Sequence, residues 1–153
     1  MKDIKIEEND FNFAYRVSAI IYNRDKSKIL LFYGNDMNFY MLPGGKVQRL
    51  EKSEQAIKRE IKEELGFDDL SFKLTGISEE IIKRNDENIQ EITFTYECIY
   101  YGKILDKPFK SIENDWINFI WIDLKDIDKY AIHPTKIKEI IKNEDLVHIV
   151  EEI

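Results

Sequence analysis

Three carboxylates, Glu60, Glu63 and Glu64, fall at relative spacings of 0, 3 and 4. At about 3.6 residues per turn, that spacing puts all three on one face of a helix. Like charges so placed repel by about 0.2–0.5 kcal/mol per pair in an isolated helix. A cation held between them removes the penalty. Oxygen donors alone, with no cysteine or histidine nearby in sequence, select a hard ion, Mg²⁺ first and Mn²⁺ second. The plainer reading is an acidic surface helix whose glutamates are screened by Lys58 and Lys62. The neighbouring residues decide between the two.

The helix that carries these acids is bounded from both ends. Ser53 suits an N-cap, Glu54 complements the macrodipole, and Gly66 sits where a C′ glycine ends a helix. Ile57, Ile61 and Leu65 recur every four residues beside the acids, an apolar stripe ready to dock on a sheet. Upstream, Phe13–Tyr22 and Lys28–Tyr33 are rich in β-branched and aromatic residues and flank a turn at Asn23–Lys26. Asn38–Leu42 predicts a third short strand, stopped by Pro43-Gly44-Gly45. Proline withholds a donor and the glycines tolerate positive φ, so a turn or loop is expected there. Downstream, Phe72–Ile82, Glu91–Tyr100 and Phe119–Ile122 read as strands. Within Glu91–Tyr100, Ile92, Phe94, Tyr96, Cys98 and Tyr100 share one face and Glu91, Thr93, Thr95 and Glu97 the other. Pro134 opens a last helix running to about Lys142, with Ile137, Ile140 and Ile141 apolar. Strands, helix, strands, helix predict an α+β fold with helices flanking a mixed sheet.

From Gly45 to Phe67 the chain reads GKVQRLEKSEQAIKREIKEELGF. That is Gly45, five residues, Glu51, seven residues, then Arg59-Glu60-Ile61-Lys62-Glu63-Glu64-Leu65-Gly66-Phe67. Gly44 and Gly45 let backbone approach a ligand closely, and a carbonyl there could complete a metal shell. Arg59 can reach back to Glu51 as a charge-assisted pair tying loop to helix. On an open surface the same pair contributes only about 0–1 kcal/mol. The 23-residue pattern resembles the signature of the Nudix (MutT-like) hydrolases at all seven fixed identities and both hydrophobic positions. Leu42-Pro43-Gly44-Gly45 is similar to that family's lead-in.

The resemblance implies an α/β/α sandwich, one Nudix domain over residues 1–153. It implies a Mg²⁺-dependent enzyme, with Mn²⁺ as second ion. The reaction would be cleavage of the pyrophosphate bond in a nucleoside diphosphate linked to another moiety. Nucleoside triphosphates, nucleotide sugars and dinucleotides all qualify. Hard cations held by carboxylates suit that chemistry, because they neutralise phosphate charge and activate water. Glu60 and Glu64 are then the primary metal ligands, Glu63 a further one and Gly44 the carbonyl donor, with Arg59 and Glu51 orienting the loop. The general base stays open, Glu60 being one candidate. A fourth acid is expected from the second half of the chain: Glu113 leads, with Asp115, Glu91 and Glu97 competing. Phe39, Tyr40 and Gly45 are the expected substrate-binding residues. Trp116, Trp121 and Phe119 also offer π-faces, although most aromatics of a strand-rich domain are core. His133 reads as a residue at the start of the last helix, His148 has no motif, and Cys98 is a small buried hydrophobe.

Marks of particular subfamilies are missing after the box. No SQPWPFPxS-like stretch of the NADH pyrophosphatases follows it. The proline of ADP-ribose pyrophosphatases is replaced by Glu80-Ile81-Ile82-Lys83-Arg84, and the tyrosine of dinucleoside polyphosphate hydrolases is lacking. The substrate therefore stays open. The alternative function is a non-catalytic Nudix-fold module that senses or binds a nucleotide. Such modules typically lose box glutamates, and this chain keeps them.

Composition fits this picture. The 153 residues are 43% hydrophobic and 35% charged, enough for a core without a disulfide staple. With 23 Lys+Arg against 30 Asp+Glu, the net charge of −7 argues against gripping duplex nucleic acid. It does not exclude a phosphorylated substrate, since bound divalent cations reverse the local sign. The single cysteine excludes an intramolecular disulfide and a multi-cysteine zinc site. No apolar run approaches the ~18 residues of a membrane span. The opening MKDIKIEENDF carries acids where a signal peptide needs an apolar stretch. A cytoplasmic chain is expected, partnered by a small nucleotide and not by duplex nucleic acid or membrane, with a homodimer left open.

Overall fold

Phe11–Tyr22, a long run of β-branched and aromatic residues, forms the axis of the fold. The computed structural model describes residues 2–141 and 143–153. Its strands are β1 (Lys5–Glu8), β2 (Phe11–Tyr22), β3 (Lys28–Gly34), β4 (Gly44–Lys46), β5 (Lys73–Lys83), β6 (Asn88–Ile99), β7 (Phe109–Lys110), β8 (Ile117–Asp123) and β9 (Val147–Glu152). The helices are α1 (Ser53–Leu65) and α2 (Ile137–Ile141), with a 3₁₀ turn over Leu124–Lys129. Seven strands run in the order β7-β8-β3-β2-β6-β5-β9, and β1 and β4 also pair with β2. The sheet is mixed: β2 is parallel to β6 and β5 to β9, while the other pairs are antiparallel.

One edge of β2 is filled by β6 along its whole length. The other edge is shared in series. β1 covers Phe11–Ala14, β4 covers Arg16–Ser18, and β3 meets only Tyr22. Because β3 peels away towards β8, it leaves a gap, and the glycine segment enters there as a strand.

Helices cover both faces, as the α+β reading predicts. On one face Val17, Ala19 and Ile21 pack against Ala56, Ile57, Ile61 and Leu65 of α1. On the other, Ile20, Tyr22 and Leu31 meet Ile127 and the Ile137, Ile140 and Ile141 of α2. Ile57 and Ile61 are essentially inaccessible, and each such side chain contributes about 1.5–3 kcal/mol when buried. No helix among the described residues is long and apolar enough to cross a membrane.

Local expectations needed correction in four places. Pro43-Gly44-Gly45 is not a left-handed turn: Gly44–Lys46 is a strand, and neither glycine is among the positive-φ residues. Asn38–Leu42 is not a ladder strand; Tyr40 and Met41 make only isolated bridges to Ile132 and Phe32. Lys52, not Ser53, occupies the N-cap, and Gln55 accepts its backbone N–H at 2.9 Å. The Ser53 hydroxyl instead bonds the Tyr96 hydroxyl at 2.6 Å, so tertiary pairing displaces the local cap. The last helix starts at Ile137, with Pro134 in the preceding turn, and Lys142 lies outside the described residues. Gly66 is the expected C-terminal stop, with φ 72° and its N–H on the Lys62 carbonyl.

Candidate active site

Arg59 organises the site by using its whole guanidinium. Its Nε and Nη2 donate to the two Glu51 oxygens at 2.8 and 3.1 Å. Nη2 also reaches the Lys46 carbonyl at 3.0 Å. Nη1 donates to Glu60 at 2.9 Å and Glu63 at 3.2 Å. A planar, five-donor fork suits this task, and a lysine could not reproduce it. With side-chain exposures of 22% and 13%, Arg59 and Glu51 are far from an open surface pair. Glu51 is further fixed by the Gln48 N–H, and the Arg59 bonds hold its carboxyl below the usual range. Loop and helix are thereby locked in register.

Three carboxyls converge beyond this hub. Glu60, Glu64 and Glu113 each place an oxygen within 4.8 Å of the others. Glu64 is buried, at 7% exposure, while Glu113 is exposed. The loop bearing Glu113 is pinned to α1 at Glu64 itself: the Ile112 N–H donates to the Glu64 carbonyl at 2.9 Å. Ser111 Oγ accepts the N–H groups of Glu113 and Asn114, closing the turn that aims Glu113 inward. Burial pushes Glu64 up to about 8, reinforced by the Glu60 and Glu113 carboxyls and opposed by Arg16. Burial also raises Glu60, with Arg59 pulling the other way. Oxygen donors crowded against their own repulsion fit a hard divalent ion.

The glycines are required by proximity. A Cβ on Gly45 would lie 2.3 Å from the Glu60 carboxyl carbon, and one on Gly44 would lie 2.0 Å from the Val17 carbonyl. The bonds Ala19 N–H to Pro43 and Val47 N–H to Tyr15 frame the β2–β4 pairing. By antiparallel alternation the Gly44 and Lys46 carbonyls then turn to the other edge, where that of Lys46 accepts Arg59. Gly44 thus presents its carbonyl on the same edge as that of Lys46, which meets Arg59. Gly45→Ala is expected to displace Glu60 and cut kcat at least about tenfold, the cost of misplaced geometry. Parallel kinetics and far-UV CD would check this; full activity with an unchanged fold would remove the glycine's positioning role.

A family model described as NUDIX domain matches residues 12–143. The chain belongs to the Nudix family. It is 29% identical over 150 residues to "mRNA-decapping enzyme subunit 2" of Saccharomyces cerevisiae, covering 92% of this chain but 14% of that protein. The chain therefore spans only a small part of that curated relative. The fold is similar to the MutT protein of Bacillus halodurans, with TM-score 0.70, 19% identity, and 88% and 86% of the two chains covered. It is also similar to the dihydroneopterin triphosphate pyrophosphohydrolase of E. coli, with TM-score 0.65, 16% identity, and 84% and 92% covered.

Within this Nudix domain the remaining expected residues scatter. Glu63 sits on Arg59, outside the converging trio. Asp115 offers its carbonyl to Lys110, Glu97 lines a separate surface cleft with Lys26 and Lys73, and Glu91 lies beside Glu80. Tyr40 is held edge-on between Tyr33 and Tyr130, and Phe39 meets His133 with ring centroids 4.4 Å apart and planes tilted by 38°. Cys98 is buried, and burial pushes its thiol up to about 12. His148 bonds Glu79 at 2.6 Å. Arg16, Ser78 and Glu80 were not foreseen. Their signal was polar residues at alternate positions, Arg16 and Ser18 in β2 and Ser78 and Glu80 in β5.

Proposed function

We propose that this Nudix domain hydrolyses the pyrophosphate bond of a nucleoside diphosphate linked to another moiety, using Mg²⁺ or Mn²⁺. The observation that carries the reading is the convergence of Glu60, Glu64 and Glu113 against Gly45. These three carboxyls, with the Gly44 carbonyl, would hold the ion, and Glu63, held on Arg59, would contact it through water. Bound there, a hard divalent ion supplies phosphate charge neutralisation and water activation. The chain's own residues do the rest. Arg59 and Glu51 fix the helix against the glycine strand, and Glu60, already raised by burial, is the first candidate to accept the water proton. Water's oxygen bonds one phosphorus as the bridging P–O bond breaks, and the leaving phosphate takes the electron pair. Arg16 supplies positive charge towards Glu64.

The alternative, a nucleotide-binding module without turnover, gains no support from a complete set of box glutamates. A net charge of −7 argues against a duplex nucleic-acid partner and is compatible with a small nucleotide bound together with divalent cations.

The test is a panel of nucleoside triphosphates, nucleotide sugars and dinucleotides, with and without Mg²⁺. A capped RNA belongs in it because of the yeast relative's name. At least one diphosphate-containing compound is expected to be cleaved to a monophosphate, with nucleoside monophosphates left intact. Metal-dependent hydrolysis of p-nitrophenyl phosphate with no activity on any diphosphate would overturn the reading. It would favour an ordinary phosphatase.

A further inference from the structure

Among the described residues only two aromatic side chains are exposed, Tyr101 and Trp116. Arg24 lies over the Tyr101 ring at 4.9 Å, so that surface is taken. Trp116 is 52% exposed and carries no such cover. Its indole rests on Gly34: a Cβ there would lie 3.0 Å from Trp116 Cζ3 and 2.9 Å from Met37 Sδ. Glycine at this position lets indole and thioether lie together against the backbone, forming an apolar shelf with one open side. A tryptophan left half in water forgoes much of the burial energy its ring could supply, and such rings typically meet a partner.

The shelf belongs to the turn that delivers Glu113. The Asn35 N–H donates to the Trp116 carbonyl at 3.0 Å, and the Ile117 N–H to that of Asn114 at 3.2 Å. Lys110 Nζ donates to the Asp115 carbonyl at 2.7 Å. With the Ile112 N–H on the Glu64 carbonyl, the turn is strapped to α1 at one end and to the end of β3 at the other. Trp116 is three residues from Glu113, at most about 11 Å of chain, the reach of a ribose and its phosphate. The loop that leaves β3 at Asn35 also carries Phe39 and Tyr40, the aromatics expected to meet the nucleoside. Those two are already packed on His133, Tyr33 and Tyr130. Trp116 is the planar surface near the trio that stays open. Asn118 Nδ2 is spent on the Asn35 side chain at 2.9 Å, so the shelf offers ring and thioether and few polar groups. That suits a heterocycle better than a hexose, whose hydroxyls need hydrogen-bond partners.

We infer that Trp116 is the stacking platform for a heterocycle carried by the moiety joined to the nucleoside diphosphate. The indole takes one face of that ring, Met37 borders it, and the bridging phosphates reach back to the carboxylate trio. The preferred substrate class is then a diphosphate or polyphosphate joining two nucleosides, ahead of nucleotide sugars. This deepens the proposed reaction and rests on it.

The chain has two tryptophans, and they report separately: Trp121 is 8% exposed and stacks on Tyr100, while Trp116 faces solvent. Methylene-bridged diadenosine diphosphate, which cannot be cleaved at its bridge, is titrated with Mg²⁺ present while tryptophan emission is followed. The control is α,β-methylene ADP, which has a single heterocycle. The two-base analogue is expected to quench the solvent-exposed emission and the control to leave it unchanged, and Trp116→Phe should abolish the quench. In turnover, Trp116→Ala should raise KM for a diadenosine polyphosphate about 5–150-fold, the range of one stacked base, with kcat retained. Trp116→Phe keeps an aromatic face and should recover most of that loss, so the idea stays testable if the alanine variant fails to fold. Equal quenching by both analogues, or none, with hydrolysis intact would overturn the platform and leave the proposed activity standing. Quenching by the two-base analogue alone, without hydrolysis of any diphosphate, would do the reverse. A fall in kcat at unchanged KM in both variants would make Trp116 a prop for the Glu113 turn and also overturn the inference. So would Trp116-dependent self-association in sedimentation, which would assign the shelf to contact between copies of the chain.

Discussion

Glu64→Gln is expected to lower kcat by about 10²–10⁴, and Glu60→Gln to do the same, while both variants stay folded. The two carboxyls form the inner part of the trio, and Glu64 has only 7% of its surface in contact with solvent. Glutamine keeps the volume of the side chain and removes the charge, so packing around Ile61 and Leu65 should survive. In the metal-free chain the substitution even relieves a burden, because burial and two neighbouring carboxyls already disfavour the ionised form. Lost activity with an undiminished melting temperature is therefore the diagnostic combination. It separates a chemical role from a structural one. Turnover should be followed by product quantification at saturating Mg²⁺ on whichever diphosphate the panel identifies. Near-wild-type rates in both variants would refute the assignment of the trio. Glu63→Gln is the informative companion, since Glu63 touches Arg59 and not the converging oxygens.

The contrast between Glu63 and Glu113 explains what the sequence could and could not reveal. Helical spacing placed Glu60, Glu63 and Glu64 together because a helix is a local object with a fixed period. The same logic found the Ile57, Ile61 and Leu65 stripe and the Gly66 stop, both present as expected. Which glutamates point into one volume is a tertiary matter. Arg59 claims Glu63, and a loop 47 residues downstream of Glu64, bonded to it through Ser111, delivers Glu113. The glycine segment failed for a related reason. Proline and glycine signal a turn locally, yet the gap left by β3 on the edge of β2 offered hydrogen bonds that made Gly44–Lys46 a strand. The Glu91–Glu80–Glu151 row needed the pairing register of three strands, one of them near the C-terminus and not anticipated at all.

Without metal, the stability of the chain is expected to fall as pH rises from about 4.5 towards 8, and Mg²⁺ should restore it. The sign follows from Glu64, whose folded pKa of about 8 lies above its ordinary 4.5. Below the lower value both folded and unfolded chains hold the proton, and the group contributes no pH dependence. Between the two values the unfolded chain releases its proton while the folded chain retains it. Unfolding then becomes easier by about 1.4 kcal/mol per pH unit. Above the upper value both states are ionised and the loss is complete. Glu60 is shifted in the same direction by burial and adds to the trend. Glu51, lowered by Arg59, acts oppositely, but its stabilisation is lost only as pH drops through its lowered pKa, outside this window. Glu80, pushed up to about 7, contributes a second component that Glu80→Gln removes independently. A divalent ion that binds the ionised trio only in the folded chain would stabilise it by about 2.7 kcal/mol at a hundredfold excess over Kd. Melting temperatures across pH 5–8.5, in chelator and in Mg²⁺, read both effects on the same sample. Glu64→Gln should flatten most of the chelator curve and lose most of the Mg²⁺ response. A wild-type curve that is flat in chelator and unmoved by Mg²⁺ would show that the trio neither resists ionisation nor holds a cation, and the proposed centre would fall with it.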